Sequence, residues 1–120
     1  MAAILLAEDE DSVAAFVTRA LTQQGHQVTR VADGLAALNA LAAASFDLLL
    51  TDIVMPELDG IALALKASKD YPAMKILLMT GYAAERQRAH NLEALVQRVV
   101  MKPFTLDEIQ KAVSELLAQP

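Results

Sequence analysis

The stretch Phe46-Asp-Leu-Leu-Leu-Thr-Asp-Ile-Val-Met-Pro56 decides how this sequence folds, because an apolar run ends there in a carboxylate. Phe46–Thr51 has the length of a buried strand, and Asp52 follows it directly. Asp59-Gly60 then closes the loop that leads to the next helical segment. An acid in this position is a candidate functional residue, although it could also serve only as a helix or loop cap.

Similar runs lie on both sides of this stretch, with helical segments between them. The predicted strands are Ala3–Ala7, Val28–Val31, Phe46–Thr51, Lys75–Met79 and Arg98–Met101. The predicted helices are Ser12–Gln24, Leu35–Ala44, Gly60–Lys69, Ala83–Leu95 and Thr105–Leu117. This alternation predicts an α/β fold, a doubly wound five-stranded parallel sheet with helices on both faces.

Length and composition restrict the possible functions. The 120 residues suit a single domain, 1–120, and the 55% apolar content argues against disorder. Cysteine is absent, and the net charge of −5 without a basic run disfavours direct nucleic-acid binding. No leader precedes Ile4 and no apolar run is long enough to span a bilayer, so we expect a cytoplasmic protein without membrane contact.

Polar residues follow four of the five predicted strands. They are Glu8–Asp11, Asp52, Thr80-Gly81 and Lys102-Pro103, whereas the second strand leads only into Asp33-Gly34, which we interpret as a turn. In the flavodoxin-like strand order 2-1-3-4-5, the four strands concerned are neighbours, and ligands bind at their carboxyl ends. We therefore expect these polar groups to meet at one edge of the sheet.

The chemistry of this set indicates a phosphoryl-transfer site. Converging carboxylates repel one another unless a cation binds between them. Carboxylate and carbonyl oxygens suit Mg²⁺, whose coordination is completed by water and phosphate. Lys102 supplies a fixed positive charge and Thr80 a hydroxyl donor, and both could stabilise a phosphoryl group in transfer.

These residues resemble those of the CheY-like receiver domains of bacterial two-component response regulators, over nearly the whole chain. The resemblance rests on five segments in the same order, Ile4-Leu-Leu-Ala-Glu-Asp9, Leu48-Leu-Leu-Thr-Asp-Ile-Val-Met-Pro56, Asp59-Gly60, Met79-Thr-Gly81 and Lys102-Pro-Phe104. Single segments such as Lys-Pro-Phe are weak signals, but all five in order, each after its own strand, are a strong one.

The resemblance implies a role for each acidic residue. Asp52 would be the nucleophile that accepts a phosphoryl group from a histidine kinase or phosphotransfer protein. Asp9 would bind Mg²⁺ directly, with Glu8 assisting through water or hydrogen bonds. Asp52 and the backbone carbonyl of Val54 would complete the protein ligands. The domain would be a signalling phosphoacceptor rather than an enzyme, although it would catalyse its own phosphorylation and dephosphorylation.

For the phosphoryl group itself, the resemblance implies contacts from Thr80 and Lys102, and a cis Lys102–Pro103 peptide. The chain departs from the usual pattern at Val99, where many receivers carry an aromatic residue. We expect Tyr82, two residues after Thr80, to take over part of that aromatic readout.

The sequence of Leu48–Pro56 and Thr80-Gly-Tyr82 is most similar to that of CpdR-type stand-alone receivers, which deliver substrates to an energy-dependent protease. It implies output through a phosphorylation-dependent contact with a target protein, with a protease complex as one candidate. Three alternatives stay open: an aspartyl-nucleophile phosphatase, which would need an acid where Val54 stands; a flavodoxin-like cofactor carrier; and a scaffold with an inactive receiver site.

Overall fold

The computed structural model describes residues 1–81 and 98–119, in which five strands and four helices follow one another. The strands are β1 (Ala3–Ala7), β2 (Gln27–Val31), β3 (Leu48–Asp52), β4 (Lys75–Thr80) and β5 (Arg98–Met101). The helices are α1 (Asp11–Gln23), α2 (Gly34–Ala43), α3 (Gly60–Asp70) and α4 (Leu106–Leu117). The predicted helix Ala83–Leu95, together with Tyr82 and His90, lies outside the described residues.

The strands form one parallel sheet in the order β2-β1-β3-β4-β5. Registers between neighbours are regular, so that Leu5 pairs with Leu49 and Leu49 with Ile76. This order confirms the predicted doubly wound sheet and brings the carboxyl ends of β1, β3, β4 and β5 side by side. None of the helices in the described ranges is long and apolar enough to cross a membrane.

The core has two halves because successive strand residues point to opposite faces. Leu5, Leu49 and Ile76 pack with residues of α2 and α3 on one face. Ile4, Leu50 and Leu77 pack with residues of α1 and α4 on the other. All five residues of β3 are buried, which is expected of a central strand covered on both faces.

Local signals in the sequence determine where the helices begin and end. A glycine directly after the helical segment Ser12–Gln24 predicts a C-terminal cap, and Gly25, with φ of 90°, does follow the end of α1. The stretch Thr105-Leu-Asp-Glu108 predicts a capping box, and Thr105 and Glu108 form a full one at the start of α4. The interpretation of Asp33-Gly34 as a turn is wrong: the Asp33 side chain caps α2, and Gly34 is its first residue.

Three further predictions need correction. The strands β3 and β4 include Asp52 and Thr80, which therefore end their strands instead of following them. From the sequence, Met74, Met79 and Met101 are expected to fill the core. Met101 is instead exposed, whereas Met74 and Met79 are buried as expected. Strand ends are set by hydrogen bonds with neighbouring strands, which the sequence alone does not define to the residue.

His26 lacks a metal-ligand pattern in the sequence and is expected to be an ordinary surface residue, but it is half-buried and takes part in the structure. Its Nδ1 accepts a hydrogen bond from the Ala2 N–H at 3.2 Å. Burial, followed by the positive charge of the chain's amino group, lowers the pKa of His26 below its usual value. The neutral imidazole therefore helps to hold the start of β1.

Candidate phosphoryl-transfer site

Three carboxylates predicted to converge do so at the carboxyl edge of the sheet. Glu8 and Asp9 follow β1, and Asp52 ends β3 at the centre of the sheet. One carboxylate oxygen from each of the three lies within 4.8 Å of the others. Glu8 is fully buried and Asp52 almost so, whereas Asp9 is exposed and accessible to solvent.

Lys102 lies between two of these carboxylates. Its Nζ donates to Glu8 Oε1 at 2.9 Å and to Asp52 Oδ2 at 3.0 Å. One ammonium group thus bridges two buried carboxylates, one after β1 and one at the end of β3. Without it, these two like charges would repel each other. This contact explains how the chain folds with a carboxylate cluster at the end of its central strands.

The pKa directions in this cluster follow from burial and charge. Burial raises the pKa of Glu8, the charge of Asp52 adds to this, and the bonds from Lys102 and the Glu10 N–H only partly oppose it. Burial alone would lower the pKa of Lys102, but the hydrogen bonds and charges of Glu8 and Asp52 outweigh it and raise that pKa. Lys102 is therefore charged throughout the neutral pH range.

The Asp52 residue is fixed by its own neighbours. Its Oδ1 accepts the Ile53 N–H at 2.8 Å, and its carbonyl oxygen accepts the Thr51 hydroxyl at 2.9 Å. Gly60, the first residue of α3, packs directly against the Asp52 carbonyl, where a Cβ would overlap it. The predicted structural role of Asp59-Gly60 is confirmed, because Asp59 also caps α3 by accepting the Ala62 N–H at 2.8 Å.

Thr80 and Lys102 are joined through the main chain. The Lys102 N–H donates to the Thr80 carbonyl at 2.7 Å, and Thr80 is buried at the end of β4, next to β3. The Lys102–Pro103 peptide bond is cis, as predicted. The structure thus brings Thr80 and Lys102 to the same edge of the sheet as Asp52.

The remaining acids after β1 separate into different environments. The Glu10 N–H donates to Glu8 Oε2 at 3.1 Å, and the Asp11 carboxylate pairs with Arg30 at 3.0 Å. In the described part of the chain, the group of acids placed to hold a metal contains Asp9 but neither Glu10 nor Asp11. Val54, whose carbonyl was predicted as a ligand, lies in the loop after β3 with its side chain exposed.

Comparison with known families agrees with this arrangement. The sequence model of the response regulator receiver domain matches residues 4–114. The chain belongs to this family. Its members are signalling modules of two-component systems, so the phosphatase and cofactor-carrier alternatives lose their support.

Individual relatives define the likeness further. The receiver domain is 39% identical over 117 residues to the response regulator receiver protein CpdR of Brucella abortus, covering 98% of both chains. It is 37% identical over 119 residues to the sensor kinase CckA of the same organism, of which it covers 12%. It covers 42% of the transcriptional regulatory protein TcrA of Mycobacterium tuberculosis, at 33% identity over 106 residues. The chain therefore spans nearly all of CpdR and less than half of CckA and of TcrA.

Solved structures confirm the predicted CheY-like fold. A putative response regulator from Chloroflexus aurantiacus superposes with a TM-score of 0.89 at 27% identity, covering 98% of each chain. The chemotaxis response regulator CheY4 of Vibrio cholerae superposes with a TM-score of 0.88, and at 24% identity this likeness concerns the fold alone.

The sequence reasoning missed one residue in the surroundings of this site. Arg30, on the edge strand β2, donates from Nε and Nη2 to the carbonyl oxygen of Glu8 at 2.9 and 2.8 Å. The sequence signal was a charge in a strand that mixes polar and apolar residues, and such a residue usually faces solvent. Its partner is a backbone atom, which the sequence does not identify.

Proposed function

We propose that this receiver domain accepts a phosphoryl group on Asp52, with Mg²⁺ held beside it, and signals by a phosphorylation-dependent contact with another protein. The observation that carries the proposal is the bridge of Lys102 between the buried carboxylates of Glu8 and Asp52, with Asp9 next to them. A nucleophile, a metal-binding acid and a cation are thus held together at the end of the central strand.

The donor set suits Mg²⁺. Three carboxylates and one ammonium leave two negative charges in the cluster, which a divalent cation would neutralise. Carboxylate oxygens are hard ligands, and the exposed Asp9 leaves room for water and phosphate oxygens. Asp9, Asp52 and the Val54 carbonyl would hold the ion, with Glu8 assisting through water or hydrogen bonds. When bound, the ion would neutralise charge on the phosphoryl oxygens.

The chain's own residues account for the transfer step. An Asp52 carboxylate oxygen attacks the phosphorus of the donor, an oxygen–phosphorus bond forms, and the leaving group departs with the electron pair of its bond to phosphorus. Lys102 then moves its ammonium from the carboxylates to the new phosphoryl oxygens. The Thr80 hydroxyl donates to the same group, and both contacts act by positioning and electrostatics.

We expect Asp52 to form an acyl phosphate when the protein is treated with acetyl phosphate and Mg²⁺. Intact-protein mass spectrometry should show one phosphate adduct in the wild type and none in Asp52→Asn, which retains the shape of the side chain but lacks the nucleophilic charge. EDTA should suppress the adduct in the wild type. An adduct that persists in Asp52→Asn would overturn the assignment of the nucleophile.

A second expectation concerns the metal. Asp9→Asn should weaken Mg²⁺ binding about tenfold or more, whereas Asp11→Asn should change it little, because only Asp9 faces Asp52. The two variants remove the same charge two residues apart, so they form a matched pair. Mg²⁺ titration followed by NMR would measure both dissociation constants. Equal losses would indicate a diffuse acidic patch and contradict a coordination site.

We also propose the partners of the site. The phosphodonor would be a sensor histidine kinase or a phosphotransfer protein, in keeping with the family and with the similarity to a segment of the sensor kinase CckA. Beside Lys102, a groove against which such a protein could dock is lined by Ser12, Val13, Phe16, Pro103 and Phe104.

The output is proposed from the similarity to CpdR. Residues 1–120 would act as one stand-alone cytoplasmic receiver domain whose target is a protein, and a protease complex is the first candidate to test. Partners that co-purify with the wild type and not with Asp52→Ala, or the reverse, would identify the target and the active state. Identical partners in both would contradict a phosphorylation-dependent output.

A further inference from the structure

Arg30 reaches from the edge of the sheet to the main chain that leads into the acids. Its Nε and Nη2 share one acceptor, the Glu8 carbonyl oxygen, and its Nη1 pairs with Asp11. The Asp11 side chain is 93% exposed, so that ion pair contributes little. The contact that matters is the double hydrogen bond from the guanidinium to the carbonyl of Glu8.

This carbonyl lies where strand pairing stops. The Glu8 N–H donates to the Val31 carbonyl at 3.0 Å, and β2 ends at Val31. In a longer parallel ladder, the backbone N–H two residues beyond Val31 would bond the Glu8 carbonyl. Here the Arg30 side chain supplies two N–H groups in its place.

Fixing this oxygen also fixes the next residue. The Glu8 carbonyl and the Asp9 N–H and Cα belong to one planar peptide unit. The two hydrogen bonds from Arg30 to this oxygen therefore set the direction in which the main chain enters Asp9. The Glu8 side chain is held separately, by Lys102 and by the Glu10 N–H.

We propose that Arg30 is a positioning residue for the divalent-cation site, which aims the Asp9 carboxylate towards Asp52 by holding the Glu8–Asp9 peptide. This inference rests on the function proposed above. Its particular consequence concerns the transfer step, in which Lys102 leaves Glu8 for the phosphoryl group. Arg30 holds the main chain and not the carboxylate, so its contact persists while the contact of Lys102 is lost.

Charge and positioning predict opposite effects when Arg30 is replaced. Removal of a positive charge near the site strengthens the binding of a divalent cation through simple electrostatics. Removal of the guanidinium releases the peptide and weakens binding. The sign of the change in Mg²⁺ affinity therefore separates the two effects.

The experiment is a Mg²⁺ titration of the whole chain, followed by NMR, in the wild type, Arg30→Gln, Arg30→Lys and Arg98→Gln. Arg98 is the matched control, because it lies on the other edge strand and pairs with an exposed acid, Glu115, at 2.8 Å. We expect the Mg²⁺ dissociation constant to rise about tenfold in Arg30→Gln, as is typical for residues that orient metal ligands. Arg30→Lys, which keeps the charge without the planar fork, should also bind more weakly, and Arg98→Gln should bind as the wild type does.

Each outcome bears on the inference. Unchanged or tighter binding in Arg30→Gln overturns it, and so does normal binding in Arg30→Lys, which would mean that only the charge matters. Urea unfolding in EDTA tests whether Arg30 has a purely structural role. Lower stability of Arg30→Gln with an unchanged Mg²⁺ dissociation constant would also contradict the positioning role. If the wild type itself binds no Mg²⁺, the proposed function fails, and the inference fails with it.

Discussion

Lys102→Met should lower the free energy of unfolding by about 2–3 kcal/mol at neutral pH in EDTA, because it leaves the buried Glu8 and Asp52 carboxylates without a counter-charge. The Lys102 side chain is 20% exposed, so water partly screens the effect and we expect a value below that of a fully buried pair. Urea unfolding would measure the loss.

The matched control is Lys66→Met, which removes the same charge from an exposed pair with Asp70 on α3. That variant should change stability by about 0.5 kcal/mol or less. Addition of Mg²⁺ should narrow the gap between Lys102→Met and the wild type, since the ion neutralises the same carboxylates and binds only the folded state. A loss in Lys102→Met no larger than that of the control would contradict the bridge.

The pH dependence of this loss has a defined sign. Burial already raises the pKa of Glu8 above its usual value, so the folded protein takes up a proton there more readily than the unfolded chain. Stability from this group therefore increases as the pH falls through the folded-state pKa. The penalty of Lys102→Met, measured against the wild type at each pH, should shrink between pH 7 and pH 5. If the loss of stability in Lys102→Met grew as the pH falls, Glu8 would not be the carboxylate that is left without a counter-charge.

Gly60→Ala should destabilise the fold by about 2–4 kcal/mol, because its Cβ would overlap the carbonyl of Asp52 and only movement of the backbone could relieve the contact. The displaced segment carries Asp52, so phosphorylation by acetyl phosphate should slow as well. Thermal or urea unfolding and a time course by mass spectrometry would measure the two effects.

Gly81→Ala is the control for this substitution. Among residues 1–81 and 98–119, a Cβ on Gly81 would meet only the Lys102 Cβ at 3.7 Å, an ordinary contact, and its φ lies outside the left-handed region. We expect its stability to stay within about 1 kcal/mol of the wild type. If both alanine variants were equally stable, the close packing of α3 on the end of β3 would be refuted.

Much of this architecture could be predicted from the sequence because the signals are local. Apolar runs separated by helical periodicity give the parallel sheet, and the sheet order brings the residues that end β1, β3, β4 and β5 together. The placement of Asp9, Asp52 and Lys102 follows from that rule. Their roles in metal binding and phosphoryl transfer remain predictions for the experiments above.

What could not be predicted depends on backbone atoms far away in the sequence. Arg30 acts on a carbonyl 22 residues earlier, and its position in a strand says nothing of that partner. Gly34 is required because α2 starts against the Leu58 carbonyl, where a Cβ would overlap, although the dipeptide Asp33-Gly34 has the composition of a turn. Contacts of this kind become visible only when the whole fold is assembled.

The burial of β3 also has a consequence for local unfolding and for the exchange of amide hydrogens. This strand is hydrogen-bonded on both sides, to β1 and β4, and its five residues are buried. Such segments open only with the whole molecule, whereas loops and exposed helix ends open at much lower free energy. We therefore expect the amide hydrogens of β3, including that of Asp52, to be among the last to exchange, and those of the loop at Asp9 to exchange earlier. A group attached to Asp52 would keep a fixed point of attachment while its surroundings rearranged around it.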